Sequence, residues 1–396
     1  MIRITSKFTS RSRMFIRKKA ANRIPGASAS SVFNSKTMGQ SKVRISSWAF
    51  ALLLVAGMPA IARAQQGEAN SSCARCHPSQ SATEPFTPMG KAMELPGEDP
   101  QLAAHPKLTF QQGPFTYTVV TQNGRSTYTV SDGIESLTMP IEWNFGEDAQ
   151  TWVLVRDGHF YESLVSYYPT IQGLDITTGD ETLKPVTLEE AIGRELSPMD
   201  VKACFGCHAT GAVVDDKLNL DALKPGVRCS HCHENAELHA VAESISGGGD
   251  FQSAPPSLGR LNTEDISNFC GQCHRSWETV VRSGWHDVMT VRFQPYRIAN
   301  SRCFDGTDPR ISCLACHDPH KPVVTDIASY DSKCLACHGA SGSHPPASAP
   351  AGAKSCPVAT SKCASCHMPS VPLIRGRMVF HDHDIRIAKP GEPYPN

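Results

Sequence analysis

CFGCHATGAVVDDKLNLDALKPGVRCSHCH, residues 204–233, contains the pattern C-x-x-C-H twice, and the whole chain contains it seven times. The other copies are CARCH at 73–77, CGQCH at 270–274, CLACH at 313–317, CLACH again at 334–338 and CASCH at 363–367. Random placement at this cysteine frequency would give on the order of 0.03 copies. The spacing suits covalent haem attachment, in which two thiols form thioethers to the haem vinyl groups and the adjacent imidazole is held under the iron. Structural zinc also uses C-x-x-C, but it takes two such pairs or one pair with two histidines, and seven pairs leave a remainder. Redox-active or disulfide pairs need no histidine after the second cysteine, whereas every copy here has one.

The sequence therefore predicts seven covalently attached haem c groups. The attachment residues are Cys73, Cys76, Cys204, Cys207, Cys229, Cys232, Cys270, Cys273, Cys313, Cys316, Cys334, Cys337, Cys363 and Cys366. The proximal ligands are His77, His208, His233, His274, His317, His338 and His367.

Nine histidines remain. His231 lies inside an attachment motif and His159 follows a hairpin turn, so both read as hydrogen-bonding or surface residues. His105, His239, His286, His320, His344, His381 and His383 are then the distal-ligand candidates, and His381 and His383 are too close in sequence to serve one iron together. Met89, 12 residues after His77, is a further candidate that would raise the potential of its haem. The alternative is that Met89 and Met93 form an apolar face packed on a porphyrin edge. Histidines just after a motif, such as His320 three residues beyond His317, reach a neighbouring haem more easily than their own. Two cysteines lie outside the motifs, Cys303 and Cys356, and in an oxidising compartment a disulfide between them is the simplest use.

Haem attachment of this kind takes place outside the cytoplasm, so an export signal is expected. Residues 48–58 (WAFALLLVAGM) form a short apolar run preceded by Lys42 and Arg44 and followed by Ala62-Arg63-Ala64, a small-x-small cleavage pattern. Residues 1–64 are read as a signal peptide whose functional start is Met38. The run is too short for a permanent span, so the cleaved protein is expected to be soluble, periplasmic or extracellular. Of the 38 Lys and Arg, 12 fall in residues 1–64, which hold no acid, so 26 face 38 acidic residues in the remainder, a formal charge of −12. That balance argues against nucleic acid and for docking to basic redox partner proteins, including a membrane redox complex.

The first motif stands 131 residues ahead of the second, histidine to histidine, while later intervals run from 21 to 43. This divides the chain into a single-haem segment at 65–109, a β-rich haem-free region at 110–185 and a six-haem domain at 186–396. FTYTVVT at 115–121 and RSTYTVS at 125–131 flank Gln122-Asn123-Gly124, a hairpin signal, and residues 151–155 and 159–168 flank Arg156-Asp157-Gly158 likewise. Thr187-x-x-Glu190 and Ser197-Pro198-x-Asp200 open short helices, the second running into Cys204. Gly247-Gly248-Gly249 and the stretch 345–353 read as loops. The fold class expected is α+β: short helices and loops wrapped round a haem array, a β-meander of four or five strands, and little conventional core.

CFGCHATGAVV (204–214), PGVRCSHCH (225–233), RFQPYRIANSRCF (292–304), ISCLACHDPH (311–320), CASCHMPSVP (363–372) and HDHDIRI (381–387) together resemble bacterial multihaem cytochromes of the doubled C-x-x-C-H type. That grouping includes the tetrahaem electron carriers of ammonia oxidation, hydroxylamine oxidoreductase and pentahaem nitrite reductase. The resemblance spans about 70–390 and implies distal ligation by His239, His320 and one of His381 and His383. Two departures stand out: related proteins often have histidine where Met89 stands, and no C-x-x-C-K motif is present. The expected role is electron transfer between redox partners. The alternative is an oxidoreductase acting on a nitrogen or sulfur compound at one haem with an open distal site.

Overall fold

A computed structural model describes residues 72–247, 254–339, 355–373, 377–389 and 391–395. The signal region at 1–64, His344, the stretch 345–353 and Gly248-Gly249 lie outside the described residues.

The β region is built from β1 (Met93–Glu94), β2 (Lys107–Gln112), β3 (Phe115–Gln122), β4 (Arg125–Ser131), β5 (Ser136–Phe145), β6 (Thr151–Arg156), β7 (His159–Ser163), β8 (Val165–Tyr168), β9 (Gly173–Ile176) and β10 (Gly193–Glu195). β2 to β7 form a consecutive antiparallel meander, β10 pairs with β7, and β1 pairs with β5. The meander thus has six strands where four or five were expected. Its sheet also recruits β1 and β10 from outside the expected boundaries of 110 and 185. β10 covers the edge of β7, which would otherwise present unpaired backbone groups.

The turns follow from residues that tolerate positive φ. Asn123 and Gly124 have φ of 54° and 71°, and Asp157 and Gly158 have 53° and 82°, as the tightest hairpin turn requires at both central positions. Alternation then sorts the faces. Phe115, Tyr117 and Val119 of β3 pack with Tyr128 and Val130 of β4, Met139 and Ile141 of β5, and Trp152 and Leu154 of β6 in one buried cluster. The β8–β9 hairpin closes that cluster with Val165, Tyr167, Leu174 and Ile176.

A bulge decides where the rest of the molecule attaches. Along β5, residues 139, 141, 143 and 145 would all face one way, but the register slips between Ile141 and Trp143, so Trp143 opposes Val153 and Phe145 opposes Thr151. Trp143 and Phe145 therefore turn to the opposite face. There they join Met93, Val153, Leu196, Val201 and Phe205 in a second cluster.

The helix signals at 187 and 197 are realised differently. Thr187 caps Leu188–Ile192, accepting from the Glu190 N–H, and the helix stops at Gly193. Gly193 has φ +139°, and a Cβ there would overlap the Glu162 carbonyl, so the chain turns directly into β10. Ser197 and Asp200 form a reciprocal capping box on Pro198–His208, which carries the second motif at its C-terminal end as expected. Beyond Arg228 the described residues are helices and turns, with one antiparallel strand pair, Ser370–Leu373 and Met378–His381. Among the described residues there, Ile266, Val280, Val291, Tyr296, Cys337 and Leu373 are the buried apolar side chains. No helix among the described residues is long and apolar enough to cross a membrane.

Candidate metal centre: a cavity lined by seven C-x-x-C-H turns

Each motif forms one helical turn. In five of them the histidine N–H donates to the carbonyl of the first cysteine: His77 to Cys73 at 2.8 Å, His233 to Cys229, His317 to Cys313 and His338 to Cys334 at 2.9 Å, and His367 to Cys363 at 3.1 Å. The other two are the last turns of Pro198–His208 and Thr263–His274. Positions i, i+3 and i+4 share a helix face, so both thiols and the imidazole of a motif can project to the same side; in the 204–208 turn Cys207 and His208 line the cavity while Cys204 packs on the cluster around Phe145 and Phe205.

All seven turns open onto one cavity. Its volume is 3660 Å³, and its lining includes the histidine and at least one cysteine of every motif. A single small-molecule site is about 300–1,000 Å³, so this space accommodates several large groups. The scarcity of apolar core beyond Arg228 has the same cause, since the segments there pack around the cavity rather than on one another.

The turns form a connected network. Thiols of different motifs lie close enough to perturb one another at Cys73–Cys229, Cys207–Cys273, Cys270–Cys313 and Cys334–Cys363. Cys232 lies within electrostatic reach of Cys270 and Cys273, and Cys316 of Cys334. In space the order is thus 73–77, 229–233, 270–274, 313–317, 334–338 and 363–367, with 204–208 joined at 270–274. The proximity of Cys73 to Cys229 brings the sequence-isolated first motif into the network.

Distinct local devices hold these turns. The 204–208 turn is held by aromatic packing: Phe205 makes edge contacts with Trp143 and Phe145 at 5.0 and 5.2 Å, and His208 donates from Nδ1 to the Ala92 carbonyl at 2.8 Å. Asp331 accepts from the N–H groups of Lys362 and Cys363 at 2.6 and 2.8 Å, tying the last motif to the one before. Gly226, at φ +75°, allows the chain entering Cys229 to approach Gly90 so closely that a Cβ would overlap the Gly90 carbonyl, and Val227 donates to the Met89 carbonyl at 3.0 Å.

The distal candidates separate. His239, His320, His381, His383 and Met89 line the cavity; His105 and His286 do not. His105 instead packs on the Tyr167 ring at 5.1 Å and donates to the Gln101 carbonyl, because the short helix Pro100–Ala104 carries it against the β region. His286 is exposed and donates to the Gly284 carbonyl at 2.6 Å. In these positions neither ring reaches the cavity. His159 pairs on the surface with Glu195 at 2.7 Å, whereas His231, read as a bystander, lines the cavity. His344 lies outside the described residues.

Two pairs of imidazole rings in the cavity lining lie close together. His233 and His320 have centroids 6.1 Å apart with planes within 7°, and His317 and His383 have centroids 6.3 Å apart. With metal–nitrogen bonds of about 2.0–2.1 Å and a ring nitrogen roughly 1.1 Å from its ring centre, two imidazoles opposed on one metal have centroids about 6.2–6.4 Å apart. His320 follows His317 by three residues, and its ring lies 6.1 Å from that of His233, in a different motif.

Ring orientation suits ligation. His208, His367, His381 and His383 each donate Nδ1–H to a backbone carbonyl, of Ala92, Arg386, Met368 and His381, and His320 Nδ1 bonds Asp318 at 3.2 Å. Anchoring Nδ1 selects the tautomer that leaves the Nε2 lone pair free for a metal. Burial also holds His208, His233, His274, His317 and His383 below the usual imidazole range, His383 down to about 4, so these rings are neutral. His274 is open to the cavity but enclosed by protein elsewhere, which reconciles its accessibility with its desolvation. The thiols shift as interacting pairs: hydrogen bonding from Cys273 takes Cys207 down to about 7, and burial takes Cys204 and Cys229 up to about 11. Among the described residues no three His, Cys, Asp or Glu side chains converge on one metal position.

Cys303 and Cys356 also line the cavity, but the expected bridge between them is not formed and both are free thiols. Cys303 lies near Cys334 and Cys337, and Cys356 accepts from the backbone N–H groups of Val358 and Ala359.

Sequence reasoning missed Arg297 and its partners. Arg297 donates from Nε and Nη2 to Asp382 at 2.9 and 3.0 Å, Arg386 reaches Asp382 at 2.7 Å, and the Tyr394 ring lies 4.6 Å from the Arg297 guanidinium. This cluster fixes the segment that presents His381 and His383. The alternation in His381-Asp382-His383-Asp384 was the available signal, since neighbouring residues of an extended segment face opposite ways.

No family model, curated protein or solved structure matches the chain.

Proposed function

We propose that this protein is an exported heptahaem c-type cytochrome that transfers electrons between redox partners. The observation that carries the reading is the single cavity lined by all seven C-x-x-C-H turns. The donor set fits haem: paired thiols beside an imidazole at each turn, and a second imidazole ring near His233 and near His317, at centroid distances of 6.1 and 6.3 Å. Bound haem would supply one-electron chemistry at its iron. The residues would do the rest. Each cysteine pair would hold one macrocycle by two thioethers, His77, His208, His233, His274, His317, His338 and His367 would hold the proximal faces, and His320 and His383 would close distal faces at 233 and 317. The connected turns would keep adjacent groups close enough for electrons to pass between neighbours. With a formal charge of −12 over residues 65–396, basic partners are favoured.

The test is the intact mass of the secreted protein, expected to exceed the processed polypeptide by seven haem masses. A deficit of two or more overturns the reading.

One observation favours a second reading, an oxidoreductase acting on a nitrogen or sulfur compound. Five of the distal candidates line the cavity, and adding His344 makes six for seven proximal histidines. An iron with an open distal position would bind a small ligand. A high-spin absorption band that shifts on adding cyanide or nitrite supports this reading, and its absence leaves the carrier alone.

A further inference from the structure

Arg228, immediately before Cys229, has a fixed guanidinium with an unused donor. Its Nε–H donates to the Pro225 carbonyl and its backbone N–H to Thr210 Oγ1, both at 2.8 Å. Its side chain lines the cavity, and Nη1 is buried without a hydrogen-bond partner. The ion-pair partner, Glu84 Oε2, stands 4.0 Å from Nη1, beyond hydrogen-bond reach. The backbone has little freedom to bring them closer. Gly226 is wedged against Gly90, Val227 is bonded to Met89, and Glu84 itself sits in the short turn Glu84–Phe86 on the other side of that contact.

A guanidinium held through Nε, about one-fifth exposed at the cavity wall and with Nη1 lacking a hydrogen-bond partner, is suited to a planar oxyanion, a carboxylate above all. The place matters as well, since Cys73 and Cys229 both line the cavity within interaction reach of each other, so the first and third motifs are neighbours. We propose that Arg228 anchors a carboxylate of the group bound between these two turns, which on the reading above is a haem propionate. The inference rests on that reading and adds the residue that orients the macrocycle after its thioethers have formed. A cation fixed at a propionate favours the reduced haem, because the extra electron is added near positive charge.

The experiment is an equilibrium redox titration, with haem counted by intact mass, of the parent, Arg228→Ala, Arg228→Lys and Glu84→Gln holoproteins. The parent should carry seven haems. Arg228→Ala should keep seven and lower the midpoint potential of one or two, and Arg228→Lys should restore most of that fall. Glu84→Gln should leave those potentials level or higher. If Arg228→Ala overlays the parent, or if Glu84→Gln lowers the same potentials, Arg228 serves only Glu84 and the inference is overturned. A parent without haem overturns the cofactor reading itself, which the mass measurement shows separately. If Arg228→Ala is not secreted, Arg228→Lys decides: a small downward shift confined to one or two haems supports the anchor, and unchanged potentials refute it.

Discussion

Arg297 and Asp382 meet through two parallel hydrogen bonds of 2.9 and 3.0 Å, with side-chain exposures of 1% and 0%. The pair joins helix Gln294–Ala299 to the C-terminal segment, 85 residues away in sequence. Removing one partner leaves a buried charge uncompensated, which costs about 3–5 kcal/mol. Arg297→Ala and Asp382→Asn should each lower the denaturant midpoint by that order, and the double variant should lose less than the sum of the two. Additive losses in a double-mutant cycle would show that the pair does not act as a unit.

Ligand assignment can be tested residue by residue. His320 and His383 lie close to His233 and His317 in the cavity lining, whereas His105 and His286 are outside it. On the proposed heptahaem reading, His320→Ala and His383→Ala should each create one high-spin haem in seven. His105→Ala and His286→Ala should leave the absorption spectrum of the parent unchanged. A high-spin signal from His105→Ala would return that residue to the ligand set. Met89 lines the cavity, so Met89→Ala decides by the same measurement whether it ligates or packs.

Burial pushes the Glu94 carboxyl up to about 7, assisted by Asp99 and Glu147 and opposed by Lys91 and Arg228. The folded state therefore favours the protonated acid. Stability from this group is fully present below the unfolded value of about 4.3 and is lost as pH rises through about 7. Glu94→Gln should gain roughly 1–3 kcal/mol over the parent at pH 8 and little at pH 4. Unfolding curves whose difference does not grow with pH between these limits would rule out the coupling.

Tyr117 is fully buried and its hydroxyl has no hydrogen-bond partner. Its ring contributes to the aromatic row Phe110–Tyr117–Tyr128, with centroids 6.1 and 6.2 Å apart. Removing an unsatisfied hydroxyl while keeping the ring relieves a desolvation cost, so Tyr117→Phe should be neutral or stabilising by up to about 1 kcal/mol. Tyr117→Ala should cost about 3–5 kcal/mol through the cavity it leaves. A loss above about 1 kcal/mol in the Phe variant would reveal a partner for the hydroxyl.

Gly193→Ala should destabilise by at least about 1–3 kcal/mol, because φ +139° is strained for any side chain and the new Cβ meets the Glu162 carbonyl. Gly158→Ala, at φ +82° but with open space around it, isolates the cost of the dihedral alone. The two thermal midpoints should therefore fall in that order.

What the sequence determined by itself was local. The Asn123-Gly124 and Asp157-Gly158 turns, the Ser197–Asp200 cap and the seven helical C-x-x-C-H turns depend on contacts between residues at most a few positions apart, and residue type encodes these directly. Tertiary structure decided what depends on distant partners. The bulge after Ile141 placed Trp143 and Phe145 on the face that receives Phe205, although the alternation along β5 gives no sign of it. The proximity of Cys73 to Cys229 joined a motif isolated by 131 residues to the others. His105 and His320 were both candidates as sequence; one packs on Tyr167 and the other lies beside His233. A ligand's spacing fixes only which face of its own helix or turn it shares, whereas the metal it can reach depends on how separate turns pack, and that is set by long-range burial such as the Arg297–Asp382 clamp.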